Sequence, residues 1–387
     1  MDFTYSEEQE AVRELAGRIF TEQSTHERLK EVEGSAGPEG PFDTALWAAL
    51  AGAGLLGIGL PEDVGGAGLD FVAVSLILEA AGRTAAQVPV VEVLAYSAPA
   101  LERFGTEAQR QAWLSRIASG DAVVTAAMAE LVDDMVVPGG PAPATTATKT
   151  PSGSWVLSGT KACVPAGLLA DLVLVPATTV TESGEEAGTA VFLVETTAPG
   201  VTRTRQDGPA RPEALIELSG VEVGEEAILG GLGADGVAVS AYIAEYATAG
   251  LCVQEAGVCA AAIALLAEYT KTREQFGKPI ATFQAVGQRA ADAYVDTEAI
   301  RLTAWQAAWR LSEGLPATAE LAVAKFWAAD GGQRVVHAAA HLHGGVGVDR
   351  DYPLHRFFLL TRQIELTLGG AHASLERLGA LLAAEPA

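Results

Sequence analysis

The first 120 residues alternate apolar and polar positions at helical spacing. Ser6 and Gln9 stand three residues apart, in the arrangement of a capping box. The apolar residues Val12, Leu15 and Ile19 follow at intervals of three and four. Gly and Pro clusters separate further helical patterns, which lie at residues 44–53, 71–82, 95–104 and 107–117. The first zone of the chain is therefore predicted to be all-α.

The pattern changes between about residues 121 and 233, where short apolar runs stand between Gly, Pro, Ser and Thr residues. Runs of this kind are typical of strands, and they lie at residues 155–157, 172–175, 190–194 and 214–218. Residues 138–150 are a low-complexity stretch of Pro, Ala and Thr, which we interpret as an exposed loop. The middle zone is predicted to be a β domain.

Long helical patterns return after residue 234, at residues 236–273, 283–312, 318–342 and 356–382. Four long helices with short connections favour an antiparallel bundle, in which each helix buries one apolar stripe. The sequence thus predicts an α+β multidomain protein. Its parts are an N-terminal α-helical domain (residues 1–120), a middle β domain (121–233) and a C-terminal four-helix bundle (234–387).

The composition limits the classes of function. With 49% hydrophobic and 19% charged residues in a chain of 387, there is ample material for a buried core. A net charge of -24 disfavours nucleic acids and anionic membrane surfaces as partners. The three cysteines form no CxxC pair, the N-terminus shows no apolar signal segment, and Glu255 interrupts the apolar run at 247–267. We therefore expect a cytoplasmic protein with no membrane span.

One stretch carries the most specific signal. It reads Arg-Glu-Gln-Phe-Gly-Lys-Pro-Ile at residues 273–280 and is followed by Phe283 and Gln284. Arg273 offers a fixed cation with a fork of donors, which suits a phosphate group. The ordinary alternative places Arg273 at the carboxyl end of a helix, where the helix dipole favours a cation, and Phe276 in the core. The residues alone leave both interpretations open.

A second segment, His-Gly-Gly-Val-Gly at residues 343–347, follows a predicted helix. The amides of Gly344 and Gly345 can approach a phosphate closely because no Cβ intervenes, and the alternative is an ordinary helix C-cap. His337 and His341 stand four residues apart, as zinc ligands on a helix do, but only alanines separate them. With no third ligand near in sequence, we assign no metal site.

Together these segments resemble the C-terminal domain of acyl-CoA dehydrogenases, and the run Gly-Leu-Pro-Glu-Asp-Val-Gly-Gly-Ala-Gly at 59–68 is similar to their N-terminal domain. The resemblance implies the same three-domain fold, with a barrel or sandwich in the middle, and an FAD cofactor. It also implies that this chain contacts the ADP half of an FAD held by a neighbouring subunit. The residues implied in that contact are Arg273, Gln275, Phe276, Gln284, His341, His343, Gly344 and Gly345, where His341 replaces the usual Gln of the family.

The sequence departs from the family at the residues that carry the chemistry. Many members keep a catalytic Glu where this chain has Leu368, and a second location used by some members falls on Ala247. Two middle-domain segments, aligned with residues 126–130 and 163–165, lack the Thr hydroxyls and the Trp that the family places against the isoalloxazine. No catalytic residue is therefore assigned to this chain.

The residues kept are those that serve a neighbour's flavin, and the residues lost are those that serve the chain's own. The runs at 344–359 and 365–371 resemble the base-less partner subunit of heteromeric acyl-CoA dehydrogenases of actinobacteria, which act on steroid side-chain CoA thioesters. The predicted function is α,β-dehydrogenation of an acyl-CoA in a heterotetramer. A Glu-bearing partner subunit would hold the isoalloxazine and the substrate.

Two alternatives stay open. A self-sufficient homotetramer of the same fold would use Glu245 or Glu365 as a relocated base, although both are more typical of solvated or ion-paired carboxylates. A flavin-free scaffold would retain the Arg273 segment for packing alone.

Overall fold

Helices, then strands, then helices follow one another as the sequence predicts. The structure, a computed structural model, describes residues 4–131, 142–181 and 183–384. The predicted capping box is confirmed: Ser6 Oγ accepts from the Gln9 amide at 3.2 Å, and Gln9 Oε1 accepts from the Ser6 amide at 3.0 Å. The helices of this zone are α1 (Glu7–Gln23), α2 (His26–Gly34), α3 (Thr44–Gly52), α4 (Phe71–Thr84), α5 (Ala98–Phe104) and α6 (Glu107–Ser119), with a π-helical turn at Glu92–Ser97.

The middle zone forms one mixed sheet. Its strands are β1 (Val124–Ala126), β2 (Ala129–Glu130), β3 (Thr146–Lys149), β4 (Trp155–Pro165), β5 (Leu172–Val180), β6 (Glu186–Glu195), β7 (Val201–Gln206), β8 (Glu213–Val223) and β9 (Ile228–Leu232). The strand order is β7-β8-β4-β3-β5-β6-β9, with β1 beside β5 and β2 beside β4. Strand β5 is buried from Leu172 to Thr179, as expected for a strand covered on both faces.

The interpretation of residues 138–150 as a loop is wrong in its second half. Thr146–Lys149 form β3, which pairs antiparallel with β4 and parallel with β5. Ala147 is buried and Thr148 exposed, so the side chains alternate between the two faces as in any strand, although the composition hides the pattern. Residues 132–141 lie outside the described part of the chain.

The third zone is helical, but it contains one more break than the sequence predicts. Its elements are α7 (Ala234–Thr272), β10 (Glu274–Gln275), β11 (Lys278–Pro279), α8 (Gln284–Ser312), α9 (Thr318–Phe326), α10 (Gly332–His343), α11 (Leu354–Leu366) and α12 (Ala371–Ala384). A π-helical turn at Trp327–Gly331 joins α9 to α10, so the helix predicted at 318–342 is continuous. The single helix predicted at 356–382 is wrong, because Leu368 and Gly369 have φ of 58° and 94°. Two left-handed residues cannot continue a right-handed helix.

Contacts between Cα atoms divide the chain into two units. The bundle unit comprises the described residues of Met1–Glu31, Phe71–Gln87 and Thr248–Ala387, and the sheet unit comprises those of Val32–Asp70 and Val88–Ala247. In the bundle unit, α4 packs against α1 and α8, α8 against α9 and α10, and α10 against α11. In the sheet unit, the π-helical turn packs against β1, and α5 against β9.

Helix α7 is the only helix of the described residues that is long and apolar enough to cross a membrane. Within its most apolar window, 72% is buried inside the protein. This degree of burial is typical of a core helix, because packing against other elements removes the apolar surface of α7 from water.

Candidate functional site

The Arg273 segment forms a tight hairpin directly after α7. The Arg273 amide donates to Tyr269 O at 2.8 Å, and its carbonyl accepts from the Ile280 amide at 2.8 Å. Strands β10 and β11 pair through Gln275 and Lys278. The two residues between them, Phe276 and Gly277, both have positive φ, at 54° and 75°. Such a pair closes a two-residue hairpin, and it is a conformation that glycine accepts and phenylalanine does not favour.

Phe276 is the most exposed large apolar residue of the described chain, at 94%. Among the aromatic rings of the described residues, its ring contacts only that of Phe283, which lies edge-on with a centroid distance of 6.1 Å. The alternative that placed Phe276 in the core is therefore wrong. A phenylalanine in the left-handed region costs on the order of 1 kcal/mol, and an exposed ring recovers little of it. Packing within the bundle unit thus gives no reason for an aromatic residue at this tip.

Arg273 lies at the base of the same hairpin, and its side chain is exposed. Among the described residues its guanidinium has no hydrogen-bond or ion-pair partner. Lys271 and Lys278 are exposed nearby, so the hairpin is locally positive on a chain whose net charge is -24. Gln275 is exposed as well, and its Nε2 donates to Glu274 O at 2.8 Å. The surface suits an anionic group.

Gln284 is the first residue of α8, and the helix pairing brings it toward the Gly-Gly turn. Arg334 of α10 makes a bidentate ion pair with Asp296 of α8, with both N–O distances 2.8 Å. Asp292 lies one turn nearer the start of α8 than Asp296, and Ala338 lies one turn further along α10 than Arg334. Asp292 and Ala338 line the same groove. The helices therefore run antiparallel, and continuing this register for two more turns brings Gln284 to the level of the residues after α10.

The Gly-Gly turn begins where α10 ends. Gly344 has φ of 61°, and both Gly344 and Gly345 are exposed, with no atom within 4 Å of the position that a Cβ would take. His341 is exposed one turn before the end of the helix. The Gly344 amide donates to His341 O, as in a helix C-cap, while the open space beside both glycines leaves the backbone accessible to a ligand.

His343 is enclosed beneath this turn, with 2% of its surface exposed. Its Nδ1 lies 2.7 Å from Ala339 O, and its Nε2 lies 3.1 Å from Tyr352 Oη. Because a carbonyl only accepts, Nδ1 carries the proton, and Tyr352 donates to Nε2. Burial lowers the pKa of His343, so the neutral ring persists into mild acid. The ring of Tyr269, from the end of α7, packs on its face.

Three segments thus meet at one end of the bundle unit: the Arg273 hairpin, the start of α8 and the Gly344 turn. Tyr269 joins the first to the third through His343, and the α8–α10 register joins the second to the third. Phe283, before α8, places no side-chain cap on the helix, and among the described residues only the amides of Gln284 and Ala285 are left open, because the Val286 amide donates to Phe283 O. An unpaired guanidinium, an exposed aromatic ring and open backbone amides fit the pyrophosphate and adenine of a dinucleotide.

The two middle-domain segments that depart from the family pattern lie side by side in the sheet unit. Glu130 of β2 and Lys161 of β4 face each other as strand partners, and their side chains form a buried ion pair at 2.6 Å. Burial lowers the pKa of Lys161 to about 8, and Glu130 opposes the shift. Thr145 also donates its hydroxyl to Glu130 at 2.6 Å. The segment at 126–130 thus ends in β2 and the segment at 163–165 lies in the neighbouring strand β4, and the Glu130–Lys161 ion pair holds these strands together.

The position of the missing base is filled by a buried apolar side chain. Leu368 is 4% exposed, and its carbonyl accepts from Arg377 at 3.0 Å. Ala247, the second location, is fully buried. Glu365 is held by Arg362 at 2.6 Å and by a short contact from Gln333. A carboxylate with these two partners is an ion-paired structural group, since a base needs a free lone pair toward its substrate.

Sequence reasoning missed the residues that support the turn. Tyr269 and His26 carry no motif, and their partners lie far along the chain. Tyr352 belongs to the run at 344–359, but the sequence does not show its contact with His343. A helix-face argument could have found Tyr269, which lies in the last turn of α7, four residues before Arg273. No sequence signal connects His26 with the loop after the turn.

Three family profiles match consecutive parts of the chain. They describe the acyl-CoA dehydrogenase N-terminal domain (residues 6–121), middle domain (141–216) and C-terminal domain (234–379). Acyl-CoA dehydrogenase FadE27 of Mycobacterium tuberculosis is 38% identical over 100% of both chains. The ChsE4-ChsE5 complex from the same organism matches with a TM-score of 0.90 and 38% identity, covering 100% of both chains. A variant of the Tcur3481-Tcur3483 steroid ACAD matches with a TM-score of 0.86 and 40% identity, covering 97% of this chain and 98% of the other.

Proposed function

Because the chain belongs to the acyl-CoA dehydrogenase family, oxidoreductases that act on CH–CH bonds, we propose that it is the base-less subunit of a heteromeric, FAD-dependent enzyme. In this proposal a Glu-bearing partner subunit holds the isoalloxazine and the acyl-CoA. The present chain supplies contacts to the ADP end of that flavin. The active assembly is a heterotetramer, in keeping with the two-component complexes among the similar structures.

The observation that carries the proposal is a contrast within one chain. Phe276 is 94% exposed in a strained backbone conformation beside an unpaired Arg273, whereas Leu368 and Ala247 leave both base positions apolar and buried. An exposed, strained aromatic residue is retained when it contacts something outside its own fold. The Arg273 hairpin, at one end of the bundle unit, thus has groups that suit a nucleotide, whereas the base positions at Leu368 and Ala247 have no carboxylate.

Each residue of this end has a role in the proposal. Arg273 pairs with the pyrophosphate, Phe276 packs on the adenine, and Gln275 and Gln284 supply amide donors. His341 and the amide of Gly345 donate to phosphate oxygens, and Gly344, whose amide donates to His341 O, lets the nucleotide approach because it has no Cβ. His343, enclosed and hydrogen-bonded at both nitrogens, supports the turn from below.

The bound flavin would accept a hydride from the β carbon of the thioester while a carboxylate removes the α proton. This chain's residues bind and orient only. Arg273 neutralises phosphate charge, and the Gly344 turn fixes the nucleotide in one position relative to the subunit boundary. The proton is taken by the partner's carboxylate, because the described part of this chain offers none at either base position.

The names of the similar proteins suggest the substrate class. One solved complex is called a steroid ACAD, and we infer that the present chain serves the dehydrogenation of a steroid side-chain CoA thioester. We also infer a cytoplasmic location, since the apolar window of α7 is accounted for by burial in the protein.

A homotetramer with a relocated base is the second candidate. Glu365 is the carboxylate nearest Leu368 in sequence, and its ion pair with Arg362 argues against that role. A flavin-free scaffold is the third candidate, and the exposure of Phe276 argues against it, because packing alone would bury the ring.

Co-expression with a Glu-bearing acyl-CoA dehydrogenase subunit tests the proposal. We expect the two chains to co-purify and to oxidise acyl-CoA thioesters only together. The variant Arg273→Ala should lower the retained flavin and the activity of the complex, whereas Arg205→Ala, which removes an exposed ion pair with Asp207 in the sheet unit, should leave both unchanged. Full activity of the Arg273→Ala complex would refute the assigned role.

A further inference from the structure

His26, at the start of α2, bridges two segments that follow the Gly344 turn. Its Nδ1 lies 2.8 Å from Arg356 Nη1, and its Nε2 lies 2.9 Å from Asp351 O. A guanidinium only donates, so Nδ1 must accept, and a carbonyl only accepts, so Nε2 must donate. Both contacts are satisfied at once by the neutral ring with its proton on Nε2.

Lys30, one turn further along α2, contacts the same loop. Its Nζ lies 2.5 Å from Asp351 Oδ1, and this contact with the ammonium group lowers the pKa of the Asp351 carboxyl. The loop is also folded on itself, because the amides of Asp351 and Tyr352 donate to Asp349 Oδ1 at 2.9 Å and to Asp349 O at 3.2 Å. Helix α2 therefore holds the loop from outside while Asp349 holds it from inside.

Tyr352 connects this loop with the Gly344 turn. It follows Asp351 directly and contacts His343 Nε2, while His343 Nδ1 donates to Ala339 in the last turn of α10. Gly344 is the next residue after His343. A continuous series of contacts thus runs from His26 and Lys30, through the loop and Tyr352, to the residue that begins the exposed Gly-Gly turn.

We propose that His26 is a positioning residue for the nucleotide-binding turn, and that loss of its two contacts releases the loop and weakens retention of the flavin. The inference rests on the proposed function, because it concerns the same ADP contacts. It assigns the start of α2 a part in a site that lies more than three hundred residues away in sequence, with His26 and Asp351 325 residues apart.

The test measures flavin release from the co-purified heteromeric complex, followed by the fluorescence of free FAD. We expect His26→Ala to raise the FAD dissociation rate about tenfold over the native complex, because the contacts of the ring with Arg356 and Asp351 are lost. His26→Asn places an amide oxygen near Nδ1 that accepts from Arg356, so it should hold the flavin within about twofold of the native complex. The control His372→Asn changes an exposed histidine of α12 and should behave as the native sequence.

The outcomes separate this inference from the proposed function. If the native complex holds FAD and His26→Ala releases it at the native rate, or if His26→Asn releases it as fast as His26→Ala, the positioning role of His26 is refuted and the subunit assignment stands. If no complex holds FAD, both are refuted. A thermal melt accompanies each variant, because a stable His26→Ala protein that retains flavin as tightly as the native one also overturns the inference.

Discussion

The rings of Tyr269 and His343 stack with their centroids 4.3 Å apart and their planes inclined by 25°. The contact joins the end of α7, where the Arg273 hairpin begins, to the end of α10, where the Gly344 turn begins. We therefore expect a displacement of the hairpin to move the Gly344 turn, and the reverse. This stacking is a direct contact between the two halves of the proposed nucleotide site.

Replacing Tyr269 by Ala should destabilise the bundle unit and loosen the flavin at the same time. Truncating a packed aromatic ring costs about 2–4 kcal/mol of unfolding free energy, and it leaves His343 without its stacked partner. Urea unfolding and FAD affinity of the complex would report the two effects. Tyr269→Phe keeps the ring and should keep the affinity within about twofold. Equal flavin affinity for Tyr269→Ala and the native complex would contradict the connection.

Phe276→Ala separates binding from stability. Because the ring is 94% exposed, its removal should change the unfolding free energy of the isolated chain by less than about 0.5 kcal/mol. In the complex it should weaken FAD binding about tenfold, since stacking on an adenine is lost. Leu382→Ala, at another exposed apolar residue, is the matched control. A large loss of stability with unchanged flavin affinity would indicate that the ring packs within the fold.

The relocated-base alternative makes its own prediction at Glu365 and Glu245. In our account Glu365→Gln weakens the contacts with Arg362 and Gln333 but leaves turnover of the complex within about twofold, because neither carboxylate removes the α proton. The same holds for Glu245→Gln. Steady-state kinetics with an acyl-CoA thioester decides the question. A fall of about a hundredfold or more in kcat for either variant would support a self-sufficient enzyme.

Glu255 predicts a pH-dependent stability. Its side chain is fully buried on α7, and Oε1 accepts from Thr361 Oγ1 at 2.8 Å and from Cys259 Sγ at 3.1 Å. Burial raises the pKa of Glu255 to about 8, against 4.5 for the solvated group. The native state therefore holds a proton that the unfolded chain releases, and the unfolding free energy should fall as the pH rises from 4.5 to about 8.

The isosteric variant Glu255→Gln cannot ionise and should remove most of this slope. Denaturant titrations at several pH values, for both proteins, give the difference directly. Glu376→Gln, at an exposed position of α12, serves as the control and should leave the slope unchanged. If Glu255→Gln and the native chain lose stability in parallel as the pH rises, then the buried carboxyl does not carry the proton.

Much of the fold follows from periodicity. The order of helical, β and helical zones is confirmed, because long amphipathic patterns and a capping box are local signals. The break at Leu368 was missed because a Leu in the left-handed region leaves no trace in composition, although Gly369 and Gly370 beside it are a visible stop signal. The residue limits of the three domains stay a prediction.

The sequence reveals those parts of the candidate site that lie in one motif. It does not reveal the parts that depend on contacts between distant residues. Arg273 and Phe276 belong to one contiguous segment, so the sequence shows them together, and the structure adds that the ring is exposed. His26 and Lys30 reach the loop around Asp351 only through tertiary packing. Contacts between residues so far apart in sequence have no periodic or compositional signature, so a single sequence cannot reveal them.

The most direct measurement is the flavin content of the purified chain alone and of its complex with a Glu-bearing partner subunit. The account predicts one FAD for each pair of unlike chains in the complex, and little or no flavin on the isolated chain, because half of the binding site is absent from it. One FAD per copy of the isolated chain, with dehydrogenation of an acyl-CoA thioester in the absence of a partner, would contradict the division of labour proposed here.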